Sequence, residues 1–344
     1  MLPDEVSHEA LFINDYTSDL LTIVIPLHNE ENNIPKLLKQ LKQQDTKAIL
    51  VLDHCSDCTE EKCQELSCEE SKIRIINNSY EHGKKNALRT AIEIVDTPYI
   101  LCTDADCSIP AKWTHYIGSY LNSKSVKPDL LLMPVGVASA HNNGVAHIRE
   151  RLFTIDFISL QLSTAGCALS GSPSMANGAN ILFSRELYLS HDPHSDYISG
   201  DDMFLLSEAK KMARPIEYLY SPDVMVSTTM PPSFRAFIRQ HSRWLRKGTG
   251  YTDTETKKLA LSVFISNISW PILFILLPWS PFWQWIPLCL FILKTYYERK
   301  LLIKGKALFG ISFREYEIIY FALIYPFLMA IIAIVSIFRS KRQW

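Results

Sequence analysis

The chain has 344 residues, with 35 Lys and Arg set against 36 Asp and Glu. That balance leaves no basic excess to hold nucleic acid, and 47% hydrophobic with 21% charged residues excludes a disordered or collagen-like chain. A mean hydropathy of +0.02 hides an asymmetry: the first three quarters read as soluble protein and the last quarter does not.

Met1 to Asp19 is polar and acidic, with neither a basic start nor an apolar run. No secretory leader is expected there, so the bulk of the chain is expected in the cytosol. Scattered cysteines fit that compartment as reduced thiols. The one dense group is Cys55, Cys58, Cys63 and Cys68. Cys55 and Cys58 have a spacing that zinc could use, but the later spacings do not repeat a knuckle.

Leu20 to Pro26 is short, β-branched and apolar throughout, as a strand buried on both faces must be. His28-Asn29-Glu30-Glu31-Asn32 follows, then a helix with Ile34, Leu37, Leu38 and Leu41 on one face. Ala48 to Asp53 reads as a second strand, helical sequence begins at Thr59, and Ile73 to Ile76 reads as a third strand. Gly83-Lys84-Lys85 opens a helix running to Val95, and Tyr99 to Thr103 completes a fourth strand. Strands alternating with helices at this pace predict a doubly wound, mostly parallel α/β sheet. Its ligand is expected beyond the carboxyl ends of the strands, where the polar clusters should converge.

Those clusters are chemically specific. The second strand delivers Asp53, then His54, Cys55, Ser56 and Asp57; the fourth delivers Asp104-Ala105-Asp106. Two carboxylates two residues apart, just past a strand, can aim hard oxygens at one divalent cation, Mg2+ or Mn2+, which could also hold a diphosphate. An isolated pair of this kind is commonly a solvated turn. Here it ends a buried strand and follows a Gly-Lys-Lys loop suited to phosphate. Asp201 and Asp202, after Ser199-Gly200, open an apolar helix through Met203, Phe204, Leu205 and Leu206. Acids are welcome at a helix start, so a cap and a catalytic pair are both open on these residues alone. His141 and His147 lie near Asn142-Asn143-Gly144 without a persuasive metal spacing.

From Pro231 the chain sets Arg235, Arg239, Arg243, Arg246 and Lys247 against Phe234, Phe237, Ile238, Trp244 and Leu245, the pattern of an interfacial helix. Leu259 to Leu293 is then almost wholly apolar. About 20 residues cross a bilayer, and the Pro278 to Pro281 break suggests spans over roughly Leu259 to Leu277 and Phe282 to Lys300. Ile318 to Phe338 is a cleaner span. Arg299, Lys300, Lys304 and Lys306 mark a cytosolic loop by the positive-inside rule. Three spans from a cytosolic domain would then put Arg339, Lys341 and Arg342 outside, so two to three spans are expected.

The segments Val24 to Glu30, Leu50 to Asp53 with Ser56 and Asp57, Gly83 to Leu88, Thr103 to Asp106, Ala176 to Arg185, Ser199 to Asp202 and Gln240 to Trp244 resemble, in the same order, those of the family 2 glycosyltransferases. These are inverting nucleotide-sugar enzymes with a GT-A fold. Ser199 to Leu206 together with the apolar tail most resembles membrane-bound members from Bacteroidetes-type bacteria. The resemblance implies that Asp53 accepts a hydrogen bond from the nucleotide base, usually uracil. It implies that Pro26 and Glu30 shape the nucleotide pocket, that Lys84 lies near the nucleotide, and that Asp104 and Asp106 hold ribose and metal, Asp106 being the firmer metal ligand. Asp202 stands where the family has its general base, with Asp201 orienting it or the acceptor. Gln240, Arg243 and Trp244 match a Q-x-x-R-W pattern in which Arg and Gln approach the diphosphate and Trp floors the acceptor site. His54 and Cys55 depart from the commoner Asp-Gly.

The expected architecture is an N-terminal lead over 1–19, a GT-A domain over 20–230, an amphipathic segment over 231–258 and a transmembrane region over 259–344. The expected activity is transfer of a sugar from a nucleotide donor, UDP-linked by the resemblance, to a lipid-linked or polysaccharide acceptor. It is expected at the cytosolic face of a bacterial inner membrane, without nucleic acid. A processive polysaccharide synthase and a catalytically inactive nucleotide-sugar-binding regulator are the alternatives. A nucleotidyltransferase would want a glycine-rich loop after the first strand, where this chain has His28-Asn29-Glu30.

Overall fold

The computed structural model describes residues 19–67, 71–138, 145–190, 201–248 and 253–338. The N-terminal lead up to residue 18, Cys68, His141, Ser199, Gly200, Arg339, Lys341 and Arg342 lie outside the described residues. The chain divides into two compact units, each with its own secondary structure.

The α/β unit starts with β1 (Leu21–Leu27), α1 (Ile34–Leu41), β2 (Ala48–Leu52), α2 (Thr59–Ser67), β3 (Ile73–Asn77), α3 (Lys84–Ile94), β4 (Tyr99–Cys102) and α4 (Trp113–Ser123). The four strands stand within one residue of the ranges expected from sequence. β5 (Leu130–Leu132) and β6 (Val135–Val137) follow, and after an intervening helix come β7 (Ile181–Ser184), α6 (Arg185–Ser190), α7 (Asp201–Lys211), β8 (Ile216–Tyr218) and β9 (Val226–Thr228). The main sheet has the order β3-β2-β1-β4-β7-β5-β8, and β6 pairs with β9 separately. β1 to β4 are parallel neighbours, whereas β7 runs antiparallel to both β4 and β5. The sheet is therefore mixed but mostly parallel.

Every residue of β1 is buried, as its uninterrupted apolar sequence requires. Pro26 is tolerated in this central strand because of where its missing N–H falls. Ile23 N donates to Lys47 and Leu27 O accepts from Asp53 N, so the odd positions face β2. Pro26 faces the β4 side, beyond Val24–Cys102, the last pair of that register. Ile34, Leu37, Leu38 and Leu41 are the buried face of α1. The order of strands reverses between β1 and β4, and an open sheet splits its loops to either side at such a point, leaving a crevice for a ligand.

The helical unit consists of α5 (Val145–Leu169), α8 (Phe234–Gly248), α9 (Thr254–Leu276), α10 (Pro281–Phe309) and α11 (Glu315–Ile337). The sequence reading leaves α5 inside the 20–230 domain. Its packing partners are instead α10 and α11, because its buried apolar length is matched by theirs. Gly305 on α10 lets the two helices lie close, since a Cβ there would stand 2.5 Å from Leu162 Cδ1. The apolar side of α8 is also spent within this unit: Phe237 is buried with Phe153, Leu328 and Ile332, and its ring stacks on Phe153 at 4.3 Å.

Among the described residues, three helices are long and apolar enough to cross a membrane: Ile148–Leu169, Thr254–Leu276 and Glu315–Ile337. The span expected over Phe282 to Lys300 is not among them. Its range carries Lys294, Glu298, Arg299 and Lys300, and Lys294 is held by Glu298 at 2.6 Å rather than reaching for a headgroup. α5 qualifies by composition, but 61% of its apolar window is already covered, against 6% for α9 and 28% for α11. Its apolar face is explained by helix packing, whereas that of α9 is left bare.

Candidate active site

The carboxyl ends of β1, β2 and β4 and the start of α3 carry most of the polar residues singled out from sequence. The loops after β1 and β2 are tied together: Glu30 N donates to Thr59 Oγ1 at 2.7 Å, Ser56 N to Asn29 Oδ1 at 2.8 Å, and Glu31 N to Asp57 Oδ2 at 3.2 Å. Both loops leave their strands through a left-handed residue, Asn29 with φ 57° and His54 with φ 52°. Asn and His are among the side chains that enter this region most readily.

Asp53 is fully buried at the centre of this arrangement. Its Oδ1 accepts from Asn78 Nδ2 at 2.7 Å and His54 Nδ1 at 3.1 Å. Its Oδ2 accepts from the Gly83 N–H at 2.9 Å and His82 Nδ1 at 3.0 Å. Its backbone carbonyl accepts from His28 Nδ1 at 2.7 Å. The carboxylate is thus a hub that joins the β2 exit to the start of α3. Gly83, with φ 145°, turns into α3 in a conformation that a side chain would strain. His28 and His82 lie ring to ring at 4.4 Å, and His28, Asp53 and His82 each offer a ligand atom within 4.8 Å of the others. An imidazole–carboxylate set of this kind suits a zinc-class cation rather than magnesium. Two donors already occupy each Asp53 oxygen, which favours a hydrogen-bond network as its role. The sequence reading gives His28 and His82 no function. The available signal was their position, one after β1 and one just before the Gly-Lys-Lys loop.

Asp104 and Asp106 follow β4, as expected. Lys84, the first residue of α3, is ion-paired with Asp104. Burial works against its ammonium, but the charge of Asp104, its hydrogen bond and the charge of Asp202 hold the lysine above its ordinary pKa. Asp106 is pushed up by burial first and then by the charge of Asp104. Glu30 is also raised by burial; Asn33 Nδ2, donating at 2.6 Å, opposes this, and the charges of Asp106 and Asp104 add to it. Glu30, Lys84, Asp104, Asp106 and Asp202 therefore feel one another's charge at one end of the sheet.

Asp202 lies in the first turn of α7. Its Oδ2 accepts from the Gly178 N–H at 2.9 Å and its Oδ1 from the Met203 N–H at 2.9 Å. A Cβ at Gly178 would make only ordinary contact with that carboxylate, at 3.4 Å, so the approach depends on the backbone N–H and not on the missing side chain. The helix-start bond and the position facing the Lys84–Asp104 cluster coexist in one side chain. Asp201 begins the same helix. Gln240, Arg243 and Trp244 lie on α8 in the helical unit, where the Trp244 and His241 rings are 4.8 Å apart. The cysteines of the described residues are free thiols, with Cys63 buried and Cys58 exposed.

Residues 99–334, more than half of the chain, match the family described as Glycosyl transferase family group 2, and residues 22–123 match Glycosyl transferase family 2. The chain belongs to the family 2 glycosyltransferases. A teichoic acid poly(glycerol phosphate) polymerase of Staphylococcus epidermidis is 25% identical to this glycosyltransferase over 176 residues, which are 50% of this chain and 23% of the polymerase. The chain therefore corresponds to less than a quarter of that relative. Among solved structures, mannosyltransferase PcManGT from Pyrobaculum calidifontis in complex with GDP-Man and Mn2+ aligns with 96% of this chain and 92% of its own. The TM-score is 0.52 at 14% identity, a likeness of fold. TarS of S. aureus in complex with UDP-GlcNAc aligns with 89% of this chain and 91% of its own, with a TM-score of 0.46 at 15% identity.

Proposed function

We propose that this glycosyltransferase moves a sugar, with inversion, from a nucleotide-sugar donor to a lipid-linked or polysaccharide acceptor at the cytosolic face of a membrane. The observation that carries this reading is the convergence of Lys84, Asp104, Asp106 and Asp202 at the carboxyl end of the sheet. Asp202 takes the proton from the acceptor hydroxyl as its oxygen attacks the anomeric carbon. The bond from that carbon to the diphosphate breaks, and its electron pair leaves with the nucleotide. No second acid is needed, because the leaving group departs as an anion held by cations.

Asp106 and Asp104 would hold Mg2+ or Mn2+. Their hard oxygens and mutual repulsion suit a divalent cation, and Asp104 is already shared with Lys84, which leaves Asp106 the principal ligand. When bound, that ion supplies positive charge to the diphosphate. Lys84, kept charged by Asp104, supports the same phosphates from the start of α3. Pro26, Glu30 and Asp53 shape the nucleotide side. Gln240 and Arg243 serve the diphosphate, and Trp244 the acceptor. Nucleotide-sugar use is supported by the mannosyltransferase of like fold in complex with GDP-Man and Mn2+, and a polymeric or lipid-linked acceptor by the polymerase relative. Membrane insertion is supported by the bare apolar length of α9.

The test is transfer of radiolabel from UDP- and GDP-linked sugars to vesicles of total bacterial lipid, by the full chain in detergent. Asp202→Asn is expected to slow single-turnover transfer by about 10²–10⁴, with donor affinity little changed. Asp106→Ala is expected to abolish transfer and weaken nucleotide binding. Near-normal transfer by Asp202→Asn would remove it as the base. Loss of donor binding in that variant would return it to the role of a helix cap.

A further inference from the structure

Asp156 on α5 is almost fully buried in the helical unit. Its Oδ2 lies 2.8 Å from His241 Nε2, and the Tyr325 hydroxyl on α11 is hydrogen-bonded to the same carboxylate. The other ring nitrogen of His241, Nδ1, lies 3.1 Å from the Phe237 carbonyl. A carbonyl accepts only, and a carboxylate receiving a phenol is likewise an acceptor. With Asp156 ionised, both nitrogens of His241 donate, which makes the ring an imidazolium. Burial opposes that charge, yet the Asp156 charge and the hydrogen bonds hold the His241 pKa above its ordinary value.

His241 lies inside the Gln240–Trp244 segment, with its ring 4.8 Å from the Trp244 ring and 4.1 Å from Phe237. The apolar cluster of Phe153, Phe237, Leu328 and Ile332 holds α8 against α5 and α11, but apolar contact is non-directional and permits rotation. A buried charge-assisted hydrogen bond is directional. A buried ion pair is also a poor source of net stability, so orientation is what it adds over an apolar filling. The groups facing the clamp are Asp156 from α5 and Tyr325 from α11. Glu298 of α10 reaches Tyr325 electrostatically and is paired with Lys294.

We infer that His241 is a positioning residue: clamped as an imidazolium between Asp156 and the Phe237 carbonyl, it fixes the rotation of α8 and with it the Trp244 ring that receives the acceptor. The inference rests on the acceptor role of Trp244 proposed above. It also makes α5 and α11 part of the acceptor machinery, although neither supplies a reacting group.

Two measurements test it. Histidine-selective NMR of the full chain in detergent, with His241→Gln identifying the resonance, is expected to show doubly protonated His241 at pH 7. A neutral ring would overturn the inference without any variant needing to fold. In the lipid-vesicle transfer assay, His241→Gln and Asp156→Asn are expected to raise KM for the lipid acceptor about tenfold, with donor KM held within about twofold; tenfold corresponds to about 1.4 kcal/mol. Tyr325→Phe, a milder change, is expected to shift acceptor KM in the same direction by less. Trp244→Ala is the reference. If it raises acceptor KM while His241→Gln and Asp156→Asn leave it unchanged, the clamp is refuted. If Trp244→Ala itself has no effect on acceptor KM, the proposed acceptor role fails and the clamp falls with it, whereas the base assignment to Asp202 stands.

Discussion

Replacing Asp53 by Asn keeps the shape of the side chain and turns one of its two acceptor oxygens into a donor. Whichever oxygen is lost, two donors then face an NH2 group: His54 and Asn78 on one side, or His82 and Gly83 on the other. A histidine can change tautomer and accept instead. The Gly83 N–H and the Asn78 amide cannot adapt without loss: the first is backbone, and Asn78 Oδ1 is already used by Tyr80 N and Thr90 Oγ1. At least one obligate donor is therefore left facing a donor, and a buried orphan costs about 1–3 kcal/mol. Loss of the charge behind the remaining bonds brings the expected total to about 3 kcal/mol. That is a large fraction of a typical domain's stability, and equals about 6–12 °C in Tm for a unit of this size. The assay is hydrogen exchange of the β1–β4 amides in the full chain in detergent, whose slowest protons report global opening of the α/β unit. His54→Ala is the control: that ring is 53% exposed, so its loss is expected to cost under about 1 kcal/mol. Protection in Asp53→Asn within about 1 kcal/mol of the wild type, with nucleotide binding abolished, would refute the hub and leave Asp53 as a ligand contact alone.

The clamp on His241 makes a pH prediction. A group whose pKa is raised on folding contributes stability that is complete below its unfolded pKa, near 6.5 for imidazole, and lost as pH rises through the folded value. The melting temperature of the wild type is therefore expected to fall relative to His241→Gln as pH is raised from about 6 to about 9, and a constant difference would contradict the ion pair with Asp156. Membrane attachment makes another. Ile275, Leu276, Trp279 and Phe282 are each at least 70% exposed, and leaving such side chains in water forfeits roughly 1.5–3 kcal/mol apiece. The full-length chain is expected to remain in the membrane pellet after alkaline carbonate washing, and its release would show that α9 and the turn that follows it are not inserted.

Sequence alone determined the local elements and the family. The uninterrupted apolar runs of β1, β2 and β4 report burial on both faces, and the spacing of Ile34, Leu37, Leu38 and Leu41 reports a helix face. Polar residues just past strand ends report the ligand edge of an α/β sheet, and so Asp53, Lys84, Asp104 and Asp106 were legible as a set. Direction and partnership were not. Ile181 to Phe183 are as apolar in an antiparallel strand as they would be in a parallel one, because a side-chain pattern records burial and not which way the neighbour runs. α5 has the composition of a membrane span for the same reason: apolar length does not say whether lipid or other helices cover it. Asp156 and His241 are 85 positions apart. Nothing local to either residue predicts the other, since a lone acid in an apolar helix and a histidine in a basic one acquire their meaning only when folding removes both from water and leaves each as the other's partner. The hub at Asp53 has the same origin. Its four donors come from four different residues, and only the tertiary structure, by burying the carboxylate completely, makes all of them necessary.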